Sequence, residues 1–214
     1  MLGYQDVHDI GFKTSIEFFQ SVGYTEIYSL DVENSDYENR IVHNLNDPIP
    51  NALRSRFDLV VDGGTVEHVF DIKVALSSVH TMLRPLGTII HLAVMNNFIN
   101  HGFYQFSPTL FFSVYRTNGY KNFSFDVTKN RKIINANGKR VETSHIYSSE
   151  PFQDEVSIGM ACRIIFSNTD INDQLPLMFS AQKAESNTAF KSPIQAFYDP
   201  ELSSVQHLRG IKRI

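Results

Sequence analysis

Apolar runs of strand length alternate with segments of helical period along most of the chain, the pattern of a sheet flanked by helices. TSIEFFQSV, residues 14–22, puts Ile16, Phe18 and Phe19 near one face of a short helix, and Gly23 supplies its stop. EIYSLDVEN follows as a strand with Asp31 just past its apolar part, and IVHNLNDPIP as a second short strand ended by two prolines. FDLVVD, residues 57–62, is a third strand. From Asp71 to Leu83 the apolar positions Ile72, Ala75, Leu76, Val79 and Leu83 recur at helical spacing; RPLG then makes a turn before the strand TIIHLAVM. NFSFDVTKNRKIINANGKRVE reads as a hairpin with Asn137 and Gly138 at its tip, and MACRIIF as a further buried strand.

These elements predict an α/β domain over residues 1–166, with a mostly parallel sheet and an antiparallel C-terminal hairpin. From about Ser167 polar residues and three prolines break any period. Residues 167–214 are expected to be an irregular arm, either disordered or packed on a second copy of the chain through Phe190, Phe197 and Tyr198.

A length of 214 residues at 42% hydrophobic content suits one core and leaves little room for two. A formal charge of -4 gives no overall basic field of the kind that draws a protein to a phosphate backbone, so nucleic acid is not expected as a partner. Cys162 is the sole cysteine, which rules out an intramolecular disulfide. Apolar stretches stop well short of the roughly 20 residues a membrane span needs. A soluble, cytoplasmic protein is the expectation.

The polar residues that interrupt these runs fall at predicted strand ends: Asp31, Asn44, Asp62, and Asn96 with Asn97. In open α/β sheets ligands bind outside the carboxyl ends of the strands. In FDLVVDGGTVEHVF, Gly63 and Gly64 permit close backbone approach, and Thr65 can cap a helix that Glu67 and His68 begin. The histidines at 43, 68, 91 and 101 have no HExxH or CxxC spacing, so no metal is predicted. GxSxG and GK(S/T) motifs are absent, which removes the commonest hydrolase and nucleotide-triphosphatase readings. So is the Asn-Pro-Pro-aromatic pattern associated with methylation of exocyclic amino groups of bases.

FDLVVDGGTVEHVFDIKVALSSVHTMLRPLGTIIH resembles the fourth strand, the Glu-His-Val segment and the Leu-(Lys/Arg)-Pro-Gly-Gly turn of class I S-adenosylmethionine-dependent methyltransferases, with Leu86 in place of the first of those glycines. NHGFYQFSPTLFF, residues 100–112, is similar to a bacterial subgroup of the family, so the likeness covers about residues 24–115. It implies a Rossmann-like fold and S-adenosylmethionine as the cofactor. Asp31 then matches the acidic residue on the cofactor's ribose hydroxyls, Asn44 and Leu45 the adenine loop, and Asp62, Gly63 and Gly64 the sulfonium end. His68 becomes a wall of that site. His101 is the candidate base for an oxygen acceptor, with Asn96, Asn97, Tyr104 and Gln105 as substrate contacts. Read without the family, Asp31 is a turn or helix-capping residue, and His68 and His101 are packed loop histidines.

The family's first strand and glycine-rich loop precede the helix at residues 14–22, where this sequence has only MLGYQDVHDIG. Gly3 is the one match to that loop. The resemblance therefore implies either an N-terminally truncated enzyme of impaired activity or a strand stub at residues 1–5. Two functions stay open: methyl transfer to a small molecule, and a non-catalytic α/β module of the same scaffold.

Overall fold

The computed structural model describes residues 1–2, 12, 14–33, 39–134, 140–148, 174–186 and 188–194, with side chains outside 129–148. Helix α1 spans Ser15–Ser21, capped by the Thr14 side chain, which accepts from the Glu17 amide. Gly23 follows its end at φ 99°, a left-handed conformation suited to glycine. Strands β1 (Ser29–Asp31) and β2 (Arg40–Val42) pair in parallel. Strand β3 (Phe57–Asp62) leads through a single turn at Val66–His68 to helix α2 (Ile72–Met82), whose first turn is capped by Asp71.

Strand β4 (Leu83–Asn96) lies parallel to β3, and helix α3 (Pro108–Thr117) follows, with Ser107 as its cap and proline at its start. Strands β5 (Lys121–Ile134) and β6 (Arg140–Ser148) form the expected antiparallel hairpin; its tip, Asn137–Gly138, lies outside the described residues, as does MACRIIF.

One expectation is overturned: within the supposed irregular arm, Leu175–Gln182 form strand β7. It runs antiparallel between β4 and β5, giving the order β3-β4-β7-β5-β6. Leu175, Leu177, Phe179 and Ala181 alternate inward, a period of two that buries one side of the strand. The sheet is thus mixed, parallel toward β1 and β2 and antiparallel toward β6. Phe190 packs against the core, whereas Phe197 and Tyr198 lie outside the described residues.

Leu2 joins the two sheets. It forms parallel bridges to both Leu30 of β1 and Asp62 of β3, donating its amide to Val61 O at 2.8 Å, while Met1 O accepts from the Leu30 amide at 2.9 Å. The in-plane sequence of neighbours is therefore β2, β1, Leu2, β3, β4, and Leu2 stands in the central strand position where the order reverses. Gly3 lies outside the described residues.

The core sits between the sheet and the helices α2 and α3. Ala75, Leu76 and Val79 of α2 and Phe111, Phe112 and Tyr115 of α3 are buried with Ile89, Phe125 and Phe179. Phe111 stacks on Phe179, with ring centroids 5.6 Å apart. The RPLG segment, expected as a turn between elements, is the irregular beginning of β4: Phe57 pairs with Leu83, but Leu59 pairs with Thr88. No helix among the described residues is long and apolar enough to cross a membrane.

Candidate functional site

The carboxyl ends of β1 and β3 open on a cleft of about 240 Å³ lined by residues that include Asp31, Asn44, Leu45, Gly64, Thr65 and His68. Five of the cofactor residues expected from the sequence thus meet in one place, at the point where the strand order reverses. Asp31 ends β1; its carboxylate faces Arg40 at 3.5 Å and accepts from the Glu33 amide at 3.3 Å. Asn44 uses its side-chain oxygen in a turn, accepting from the Asn46 amide at 3.0 Å, so its amide nitrogen is the group left to face a ligand. Leu30, Leu45 and Val69 give the cleft apolar walls.

Asp62 acts differently from its expected role beside the ligand. Its carboxylate is fully buried: one oxygen accepts from the amides of Thr65 and Val66 at 2.9 and 3.2 Å, and the other lies 2.6 Å from His91 Nδ1. Both oxygens are thereby engaged, and Asp62 fixes the Gly63–Val66 turn instead of lining the cleft. The far nitrogen of His91 meets the Tyr115 hydroxyl at 2.6 Å, and the ring stacks on Phe111. Burial pushes the Tyr115 phenol well above its usual pKa, so it remains a hydroxyl. The expected Thr65 cap is corrected too. The Thr65 side chain makes no capping bond and donates instead to Leu2 O at 3.0 Å, while Asp62 holds the turn and α2 starts only at Ile72.

A second, wider cleft of about 760 Å³ lies along β4, β7 and β5 and shares Gly64 with the first; Glu67 and His101 line it with Phe98, Leu92 and Met178. Gly64 sits at φ 86°, a conformation that favours glycine, and a Cβ there would crowd Glu67 Oε1 at 3.2 Å.

His101 reaches this cleft because the loop after β4 folds back over the Val66–His68 turn. The amides of Phe103 and Tyr104 both donate to Glu67 O, at 2.8 and 3.2 Å, and a Cβ on Gly102 would come within 2.9 Å of the same carbonyl. His101 Nε2 lies 3.6 Å from Glu67 Oε1, and the rings of His68 and His101 are 5.0 Å apart. Glu67 is 1% exposed, and neither carboxylate oxygen has a hydrogen-bond partner. Burial pushes its carboxyl up to about 7; the residue's own backbone amide opposes the rise and the charge of Asp62 adds to it.

The remaining expected substrate residues serve the loop. Tyr104 donates its hydroxyl to Phe70 O at 2.7 Å, and Gln105 accepts from the Phe98 amide at 3.0 Å. Asn96 is the last residue of β4, and Asn97 turns the chain at φ 64°. Neither lines the two clefts. In the sequence Glu67 reads only as part of a helix start, and its contact with His101 depends on the loop fold; the Asn-His-Gly run is the one signal of a tight turn there.

No protein-family model matches the chain, and no curated protein is similar to it in sequence. Among solved structures, a SAM-dependent methyltransferase from Archaeoglobus fulgidus has a TM-score of 0.50 at 13% identity, over 78% of this chain and 80% of that one. A possible histamine N-methyltransferase from Thermotoga maritima gives 0.42 at 12% identity, over 67% of this chain and 63% of that one. The 1,6-didemethyltoxoflavin-N1-methyltransferase of Burkholderia thailandensis, bound to S-adenosylhomocysteine, gives 0.38 at 12% identity, over 79% of this chain and 65% of that one. The present chain thus spans less than two thirds of the length of the last two. The likeness to the Archaeoglobus protein shows the Rossmann-like fold of class I S-adenosylmethionine-dependent methyltransferases.

Proposed function

We propose that the protein is an S-adenosylmethionine-dependent methyltransferase acting on a small-molecule acceptor. The observation that carries this reading is the cleft at the reversal of strand order, where a carboxylate, an amide and apolar walls converge. The residues present fit the cofactor: Asp31 can accept from ribose hydroxyls, Leu30, Leu45 and Val69 can flank a base, and Gly64 lines both this cleft and the wider one. When bound, S-adenosylmethionine supplies a methyl group already activated by a sulfonium leaving group. On this reading the wider cleft admits the acceptor and His101, which lines it beside Glu67, takes a proton from an acceptor hydroxyl. The single cysteine and the net charge of -4 favour a cytoplasmic setting and a partner other than nucleic acid.

The test is calorimetric titration with S-adenosylmethionine and S-adenosylhomocysteine. The wild type should bind, and Asp31→Ala should bind about 10- to 100-fold more weakly, the effect of losing a charge-assisted contact. Asp31→Asn, checked for native circular dichroism, guards against a fold effect from leaving Arg40 behind. Undiminished binding by both variants would overturn the placement. Turnover of methyl-labelled cofactor with hydroxyl, carboxyl and amine acceptors then separates an enzyme from a binding module.

A further inference from the structure

We propose that Glu67, His68 and His101 form a binding site for a divalent transition-metal ion. One ligand atom from each lies within 4.8 Å of the others, and His101 Nε2 stands 3.6 Å from Glu67 Oε1. Two ligands on one tetrahedral ion at about 2.1 Å each stand roughly 3.4 Å apart. That separation is therefore near its ligated length, and rotation of the exposed imidazoles closes the others.

The carboxylate gives the second, independent argument. Both Glu67 oxygens are buried and neither makes a hydrogen bond of good geometry, although the residue's own backbone amide acts on the carboxyl, a condition that ordinary side chains avoid because a desolvated acceptor loses its water and gains little. A cation between Glu67 and the two imidazoles removes that deficit. The backbone also sets the three residues in advance: Phe103 and Tyr104 clamp Glu67 O, and Gly102 permits the approach. The Phe98 ring, 5.6 Å from that of His101, flanks it.

Two imidazoles and one carboxylate suit Zn²⁺, Mn²⁺ or Fe²⁺, whereas Mg²⁺ and Ca²⁺ favour all-oxygen shells. Three protein ligands leave coordination positions free, at a place beside the cleft that Glu67 and His101 line. An acceptor oxygen bound there would lose its proton to solvent more readily, with His101 serving as ligand and no longer as base. This consequence rests on the proposed methyl transfer; the ion site itself does not.

The experiment uses the full chain after chelator treatment, titrated calorimetrically with Zn²⁺ and followed by electron paramagnetic resonance with Mn²⁺, in the absence of any cofactor. One ion per chain is expected, with His101→Ala and Glu67→Gln each weakening it by about tenfold or more, and His43→Ala, outside the cluster, leaving it unchanged. Should Glu67→Gln fail to fold, His101→Ala, at a half-exposed position, carries the test. Absence of saturable binding, or binding that His101→Ala leaves intact, overturns the site. Metal binding without methyl transfer would count against the functional reading alone.

Discussion

His91 Nδ1 lies 2.6 Å from Asp62 Oδ2 across the parallel pair β3–β4, and both side chains are completely buried. The contact ties a strand end to the strand beside it and, through Tyr115, to α3. It also orders the turn that forms one wall of the narrower cleft. Because every member of the chain Asp62–His91–Tyr115 has its partners, its parts should behave as a unit.

Tyr115→Phe leaves His91 Nε2 buried without a partner and should destabilise the protein by about 1–2 kcal/mol in urea unfolding. Asp62→Ala strips His91 and the amides of Thr65 and Val66 of their acceptor and should cost on the order of 3 kcal/mol. The double variant should fall short of the sum, since the second change removes a network already broken. Strict additivity would show that the three groups act separately.

Leu86 occupies the left-handed region at φ 63° with its side chain exposed, the position where the resembling family has glycine. Leu86→Gly should relieve the strain and raise stability by roughly 0.5–1 kcal/mol, net of the added freedom of the unfolded chain. Gly87→Ala should do the reverse, because a Cβ there meets Arg84 O at 2.9 Å and Asp58 O at 3.1 Å. Thermal melting of the two variants checks both signs; a destabilised Leu86→Gly would refute the strain argument.

Lys183 is 1% exposed and donates to His80 O and Leu83 O, at 2.7 and 2.8 Å, at the end of α2. Burial lowers its amine from 10.5 to about 8. Below that value the amine is charged folded and unfolded, and the full burial penalty applies. Between about 8 and 10.5 the unfolded chain holds the proton that the folded one has released, so this penalty is relieved as pH rises. The stability of the wild type relative to Lys183→Met should therefore increase by on the order of 1–3 kcal/mol from neutral pH to the top of that window. A gap independent of pH would show that burial does not lower the amine's pKa.

Much of the parallel half was legible because its strands are apolar runs with punctuated ends: Gly23, and Gly63 with Gly64, mark boundaries the structure shows, whereas β2 ends at Val42, well before the prolines at 48 and 50 that were expected to stop it. Strand β7 was hidden although its alternation is regular, since Pro176 within it and the polar stretch before it suggest a loop. Its proline is accommodated where the β4–β7 register shifts, beside Val94 and Asn96. At the site, Asp31, Asn44 and Leu45 could be placed because each ends a strand or opens the loop after it. The role of Asp62 could not, because it depends on His91, which is 29 residues distant. The meeting of Glu67 and His101 depends on a loop fold held by backbone bonds, which leave little trace in side-chain pattern.

The junction at Leu2 makes the two walls of the narrower cleft depend on a two-residue seam. Asp31, Asn44 and Leu45 stand on one side of that junction, Gly64, Thr65 and His68 on the other, and in the plane of the sheet the two sides meet through Met1 and Leu2. A molecule gripping both walls holds the seam shut from outside. Occupancy and seam opening are then linked: the amides of Leu2 and Leu30 should exchange with deuterium more slowly as the cleft fills, while those of Phe125 and Phe179 within the antiparallel half keep their rate.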